Sequence, residues 1–431
     1  MTKLKKTVHL FAIILCVTCV DVVAKDAEVA IQWNQALLEI AQAEDGFMTL
    51  KGVRTAAMMH AAMHDALTTP DGEYKPYVFN GVVSGSDRNV AVVQAAFAVA
   101  LDQYPDQQER LAELRQRWLD QNEADATYRA GLQLGNTIAQ AVLNERQTDG
   151  WDKEADYRWH PMAPGVYAEF QEHSGTPQGF IFGAGWAQAR GFALQSPAQF
   201  RVPAPPEISS KAYLQAFNEV KALGRFQSMR RTPDQTHIAL WWKDFVESSH
   251  NRLARALIRK EGLSLEQAVR FLTLLNMAVF DAYVSSFDNK FHYNHWRPYT
   301  AIRWAANDGN PDTQAEENWT NTHRHTYAFP SYPSAHGTAC ASAMSVFKDV
   351  FGSNYAFTML TPVVDVAGPG SEQIQMSPPH RQFDSFDAAA MQCGLSRVYL
   401  GIHFRYDSVE GVRLGEQVGR NVVENLLTPS N

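Results

Sequence analysis

The chain has 431 residues, 45% hydrophobic, 19% charged and 11% aromatic, which excludes a disordered, collagen-like or disulfide-scaffold protein and allows one large core or two smaller ones. With 38 basic and 46 acidic residues the formal net charge is −8, so no global cationic field exists to hold a nucleic acid or an anionic membrane. Any bound anion must sit in a local basic cluster.

The first 24 residues carry Lys3, Lys5 and Lys6, an apolar run from Val8 to Val20, and Val22-Val23-Ala24 before Lys25. This reads as a cleaved secretory signal peptide and predicts a periplasmic or secreted mature protein. The run is short for a permanent anchor, and no later stretch reaches 18 apolar residues without a charge, so no membrane span is expected in the mature chain.

Apolar spacing of 3.6 residues predicts helices over 28–44, 50–68, 88–103, 126–146, 211–223, 236–258, 264–285, 336–351, 386–400 and 407–426. Ser264 with Gln267 forms a capping box ahead of one of them. Strand alternation is scarce, and the expected fold is all-α. Between Trp159 and Ser209 the periodicity fails among Pro, Gly and aromatic residues, which suggests a covering or site-lining segment. Three regions follow: an N-terminal helical bundle over 25–158, a connecting segment over 159–210, and a C-terminal bundle over 211–431. A weak internal echo relates the first and third. Asp65-Ala66 and Asp281-Ala282 each lie late in an apolar helix, upstream of Lys75-Pro76-Tyr77 and Arg297-Pro298-Tyr299. It predicts two side-by-side, four-helix-type bundles.

His60 and His64 imitate a zinc-binding helix, but no Glu lies between them, and helix packing is the simpler reading. Cys16 and Cys19 leave with the signal. Cys340 and Cys393 either pack as two small apolar side chains or form the one available disulfide; Cys340 is one turn after His336 and Cys393 one turn before Arg397, so a bond between their helices is plausible.

Three clusters in the C-terminal half carry chemistry. Lys290 and Arg297 are seven residues apart and share a face if the segment is helical; the following Pro298 allows Arg297 to sit at the helix end instead. Pro333-Ser334-Ala335-His336 runs into a helix of small residues, and such a helix start offers N–H groups and a hydroxyl to an anion, with His336 beside it. Ser396-Arg397 precedes His403 and Asp407; Arg is a forked donor for tetrahedral oxyanions, and Asp407 can orient the His403 ring through its other nitrogen. His292, His295, His323 and His325 flank the first two clusters. This inventory suits phosphate or an isoelectronic oxyanion better than a bare divalent metal.

Lys-x6-Arg-Pro, Pro-Ser-x-His and Ser-Arg-x5-His-x3-Asp, in this order over the last 150 or so residues, resemble the vanadium-dependent haloperoxidase and type 2 phosphatidic acid phosphatase superfamily. The Phe-Pro-Ser-Tyr-Pro-Ser and Gly-Ile-His-Phe-Arg-Tyr-Asp contexts and the middle region are similar to soluble bacterial members of the haloperoxidase branch. The resemblance implies a vanadium chloroperoxidase-like fold with vanadate as cofactor, or phosphate at the same site in a phosphatase. It makes His403 the axial ligand of vanadate, or the nucleophile of a phosphatase, and Lys290, Arg297, Ser334 and Arg397 the holders of the oxyanion oxygens. Lys290 would also polarise a bound oxygen toward halide. His336 resembles the acid–base histidine. Ala335 departs from the Gly usual there, so its backbone N–H serves only if φ stays negative. Phe329 looks more like the chloride-oxidising fungal type than the algal bromide type.

The implied partners are hydrogen peroxide and a halide, or a phosphate ester, with no nucleic acid; assembly into a homo-oligomer is left open. The leading expectation is an exported vanadium-dependent haloperoxidase. A soluble periplasmic acid phosphatase on the same fold is the alternative, and an inactive oxyanion-binding helical protein the third.

Overall fold

The computed structural model describes residues 27–45, 50–68, 73–81, 85–119, 125–168, 180–366 and 371–430; the signal peptide read in residues 1–24 lies outside them. The first half contains α1 (Glu28–Asp45), α2 (Leu50–Thr68), α3 (Arg88–Gln103), α4 (Gln108–Trp118) and α5 (Ala126–Arg146). The second contains α6 (Lys211–Leu223), α7 (Pro233–Trp241), α8 (Val246–Glu261), α9 (Leu265–Tyr293), α10 (Pro298–Trp304), α11 (Ala335–Phe351), α12 (Phe386–Leu400) and α13 (Arg405–Asn425). Two small antiparallel pairs lie between α11 and α12: β1 (Phe357–Leu360) with β4 (His380–Phe383), and β2 (Val363–Asp365) with β3 (Gln373–Gln375). The fold is all-α apart from these.

Local chemistry sets most boundaries. Asp87 accepts the Asn89 and Val90 N–H groups at the start of α3, and the capping box at Ser264 and Gln267 opens α9. Two expectations need correction. The helix read over 236–258 is two, broken at Trp242–Phe245: Trp241 and Trp242 pack edge to face, and the Trp242 carbonyl accepts from Arg397. The helix read over 264–285 continues to Tyr293, where Asn294 in the left-handed region (φ 46°) ends it. Helix α4 is not read from the sequence, because it buries only Leu111 and Leu114 in a strongly charged segment and so lacks an apolar signal.

Helix α2 is buried along nearly its whole length and packs against α9, so one hydrophobic core joins the helices of both halves. Helix α9 is long and apolar enough to cross a membrane, but it is buried inside the protein. The internal echo is partly structural. The Asp65 carboxylate accepts the N–H groups of Tyr77, Val78 and Phe79, and that of Asp281 those of Phe192, Ala193 and Leu194. Asp281 thus anchors the irregular segment, not the Arg-Pro-Tyr turn that follows it. That segment packs across α9: Phe182 and Trp186 meet Phe287, and the Val202 N–H bonds to Asn289.

Helix α13 crosses α11 at backbone contact. A Cβ on Gly411, Gly415 or Gly419 would lie 2.6, 2.2 or 2.5 Å from the carbonyls of Ser334, Thr338 or Ser342. This four-residue glycine stripe fixes the start of α11 against α13.

Burial holds His60 and His64 at about 4 and His250 and His295 at about 3, below the ordinary 6.5. Their folded pKa values are depressed, so the neutral rings favour folding fully above pH 6.5, and that stability is lost as pH falls toward 4. For His60 the loss at pH 5 is about 2 kcal/mol. The expected result is that His60→Gln narrows the gap in melting temperature between pH 7.5 and pH 5; an unchanged gap refutes it.

Candidate functional site

The three clusters converge in the C-terminal bundle. Lys290 lies in the last turn of α9 and donates to the carbonyls of Pro330 (3.0 Å) and Ser331 (2.7 Å). Arg297 lies beyond the helix, extended (φ −84°, ψ 153°) before Pro298, so the helix-end placement is the observed one. Its Nε donates to the Phe329 carbonyl and its Nη1 to that of Ile402, both at 3.0 Å. Both cations lie over the Phe329 ring, at 5.2 and 4.8 Å from its centre.

Ser334 caps α11, accepting from the Gly337 N–H at 3.3 Å, while its own N–H donates to the Asp407 carbonyl at 2.9 Å. Ala335 is the first residue of α11 and is not among the positive-φ residues. Its Cβ is therefore unstrained and its N–H remains one of the helix-start donors.

His403 follows the left-handed Gly401 (φ 79°). Its Nδ1 meets Asp407 Oδ2 at 2.9 Å and Ser331 Oγ at 3.2 Å, and its Nε2 lies 3.2 Å from Arg297 Nη1. Asp407 also accepts from the Ser331 hydroxyl and the Phe404 N–H. One carboxylate thus orients the imidazole and caps α13. Arg397 Nη1 donates to the Trp242 carbonyl at 3.0 Å. A small cavity is lined by His336, Arg397, His403, Ala335 and Ile402, closed by Phe245, Tyr283, Tyr327 and Phe329.

The electrostatics are lopsided. Lys290, Arg297 and Arg397 are buried together, and Asp407 is the carboxylate acting on the first two. Burial, reinforced by Arg297 and opposed by Asp407, pushes the Lys290 ammonium well down; burial lowers Arg297 to about 10, still charged at neutral pH. Burial also raises Asp407 to about 7, against the Ser331 hydrogen bond and the attraction of Lys290 and Arg297. His403 and His336 are driven well below 6.5, by burial first and then by the cations, Arg297 foremost for His403 and Arg397 for His336. Arg297 Nη2, Arg397 Nε and His336 Nε2 are buried and meet no protein acceptor or donor. A tetrahedral oxyanion satisfies donors of this number and charge, so the residues fit vanadate or phosphate.

The structure brings together Lys290, Arg297, Ser334, Ala335, His336, Arg397, His403 and Asp407. It does not bring in the flanking histidines as a set. His295 bonds Tyr406 at 2.7 Å, His292 is exposed, and His323 and His325 pack with Tyr327. His60 and His64 contact the carbonyls of Ala56 and Lys75. Among the described residues the one cluster able to hold a metal is His336 with Cys340 and Cys393, and those sulfurs are joined in a disulfide. Sequence reasoning missed Ser331, visible in the Phe-Pro-Ser-Tyr-Pro-Ser run, and the Trp242 carbonyl, which leaves no side-chain signal.

Residues 270–430 match the family model described as the VCPO second helical-bundle domain. The vanadium chloroperoxidase of Curvularia inaequalis is 26% identical over 275 residues, an alignment covering 50% of this chain and 44% of that protein. The chain thus spans less than half the length of that relative. A crystal structure of a bacterial vanadium-dependent iodoperoxidase superposes with a TM-score of 0.71 at 22% identity, over 95% of this chain and 98% of that one. A holo-type bacterial vanadium-dependent chloroperoxidase gives 0.66 at 17%, over 88% and 92%. The matched region holds every cationic and histidine residue of the site, and over it the chain is similar to the second helical bundle of vanadium chloroperoxidase.

Proposed function

We propose that the protein is a vanadium-dependent haloperoxidase that oxidises halide with hydrogen peroxide. The observation that carries this is the set of three buried cations with one carboxylate, in which Arg297, 3.2 Å from His403, and Arg397, which lines one cavity with His336 and His403, each keep an unpaired nitrogen. Vanadate, when bound, would supply a Lewis acid that activates peroxide. Lys290, Arg297, Arg397, Ser334 and the Ala335 N–H would hold its oxygens, and His403 Nε2 would be its nitrogen donor. Asp407 fixes Nδ1 as the protonated nitrogen of His403, leaving Nε2 its lone pair. His336, neutral at neutral pH, accepts a proton from incoming hydrogen peroxide at its unpaired Nε2. Phe245, Tyr283, Tyr327 and Phe329 limit water at the site, which strengthens each charged hydrogen bond.

We further propose that the protein is exported. The N-terminal leader sequence and the Cys340–Cys393 disulfide support an oxidising compartment.

The test is bromide oxidation by purified protein, followed as halogenation of a dimedone dye with hydrogen peroxide, with and without orthovanadate. Turnover that needs vanadate and is inhibited by phosphate is expected. Silence with bromide and iodide across pH, together with phosphate-ester hydrolysis, would overturn this reading in favour of the phosphatase.

A further inference from the structure

A second, larger cavity of about 200 Å³ adjoins the catalytic one and shares Phe245 and Tyr327 as walls. The two features least legible in the sequence build it. The break between α7 and α8 contributes Lys243, Asp244 and Phe245, and the β2–β3 hairpin contributes Val363, Val364, Asp365 and Gln373, a wall that is half apolar and half polar. We propose that this cavity binds the organic acceptor of the reaction, a single-ring phenol carrying a carboxylate, and presents its ring to the halogenating site.

Size favours one ring. A cavity of about 150 Å³ in a protein interior accepts benzene, so this one takes a substituted ring and little more. Phe245 and Tyr327 supply aromatic faces on the side toward the catalytic cavity. Lys243 is mostly buried, and among the described residues its ammonium is hydrogen-bonded to the Val366 carbonyl. An ammonium has three donors, so it can also pair with a carboxylate. Asp244 is paired with Arg252; burial, reinforced by Arg397 and Arg324 and opposed by Asp365, lowers Lys243 to about 7, and a bound carboxylate would restore its full charge. That balance favours an anionic group over a cationic one. Ser248 adds a hydroxyl to the same wall.

The proposal rests on the haloperoxidase reading, which supplies hypohalous acid. In the acceptor step a ring carbon–halogen bond forms as the oxygen–halogen bond of hypohalous acid breaks, and the ring proton leaves with the hydroxide as water.

The experiment has two arms. First, binding of 4-hydroxybenzoate to the full protein is measured by ligand-observed NMR and calorimetry without peroxide or halide. Wild type should bind it. Lys243→Met should bind at least tenfold more weakly, and Ser248→Phe, which fills the cavity, should not bind. Second, 4-hydroxybenzoate and the dimedone dye compete for bromination. The enzyme should favour the phenol several-fold beyond the ratio given by reagent hypobromite, and Ser248→Phe should return the ratio to the reagent value with dye bromination within twofold. No binding by wild type, or equal ratios for enzyme and reagent, overturns the proposal. Binding retained without any bromide oxidation overturns the haloperoxidase reading and leaves an acceptor cavity without its oxidant.

Discussion

His403→Ala is expected to abolish vanadate-dependent halide oxidation and any phosphate-ester turnover, and to remove tight vanadate binding. The imidazole is held on both sides. Its Nδ1 meets Asp407 at 2.9 Å, and its Nε2 faces the cation cage at 3.2 Å from Arg297. Nothing else among the cavity-lining residues offers a neutral nitrogen at that place. Loss of an outer partner of a metal ligand costs roughly 10–100-fold in affinity, and loss of the ligand itself should exceed that. Asp407→Ala should fall within that range, since Ser331 still reaches Nδ1. His336→Ala should lose turnover yet bind vanadate, because the cations and His403 remain. Vanadate binding is read by vanadium NMR and by calorimetry. Full activity in His403→Ala would sink the site assignment.

Gly401→Ala should be the most destabilising single methyl addition near the site, by about 3–5 kcal/mol. Gly401 has φ 79°, and a Cβ there would lie 2.3 Å from the Gly224 carbonyl oxygen and 2.7 Å from the Asn321 Cβ. A left-handed alanine alone costs roughly 1–2 kcal/mol, and the backbone clash adds to it. Gly224→Ala makes the reciprocal clash, 2.4 Å from the Gly401 Cα, but at an ordinary φ of −81°. It should therefore cost less than Gly401→Ala. Thermal melts of the two variants decide this, and a smaller loss for Gly401→Ala would refute it. The two variants should also differ at the site, because Gly401 sets the turn that aims His403.

The sequence carried the helices well because most bury one apolar face, and several begin on explicit caps. Five helices read from apolar spacing, over 50–68, 88–103, 126–146, 211–223 and 386–400, occupy those residues in the structure. The failures share a cause. The Trp242–Phe245 break contains no Gly or Pro; Arg397, 155 residues away, takes the Trp242 carbonyl. The hairpin strands are three or four residues long, too short for alternation to show. At the site, charged and imidazole side chains at fixed spacings were legible one by one. Ser331 and the Trp242 carbonyl were not, since their roles exist only after distant segments meet.

The Cys340–Cys393 bond, at a sequence separation of 53, closes a covalent ring around both strand pairs. Ring closure of that size removes unfolded-chain freedom worth about 4 kcal/mol. It also means that a protease cut anywhere inside the ring leaves one molecule, not two. The helix bearing His336 and the helix bearing Arg397 would stay bonded one turn from each of those residues. A nicked protein should migrate as two pieces only after reduction, while before it the two walls of the catalytic cavity remain a single chemical unit.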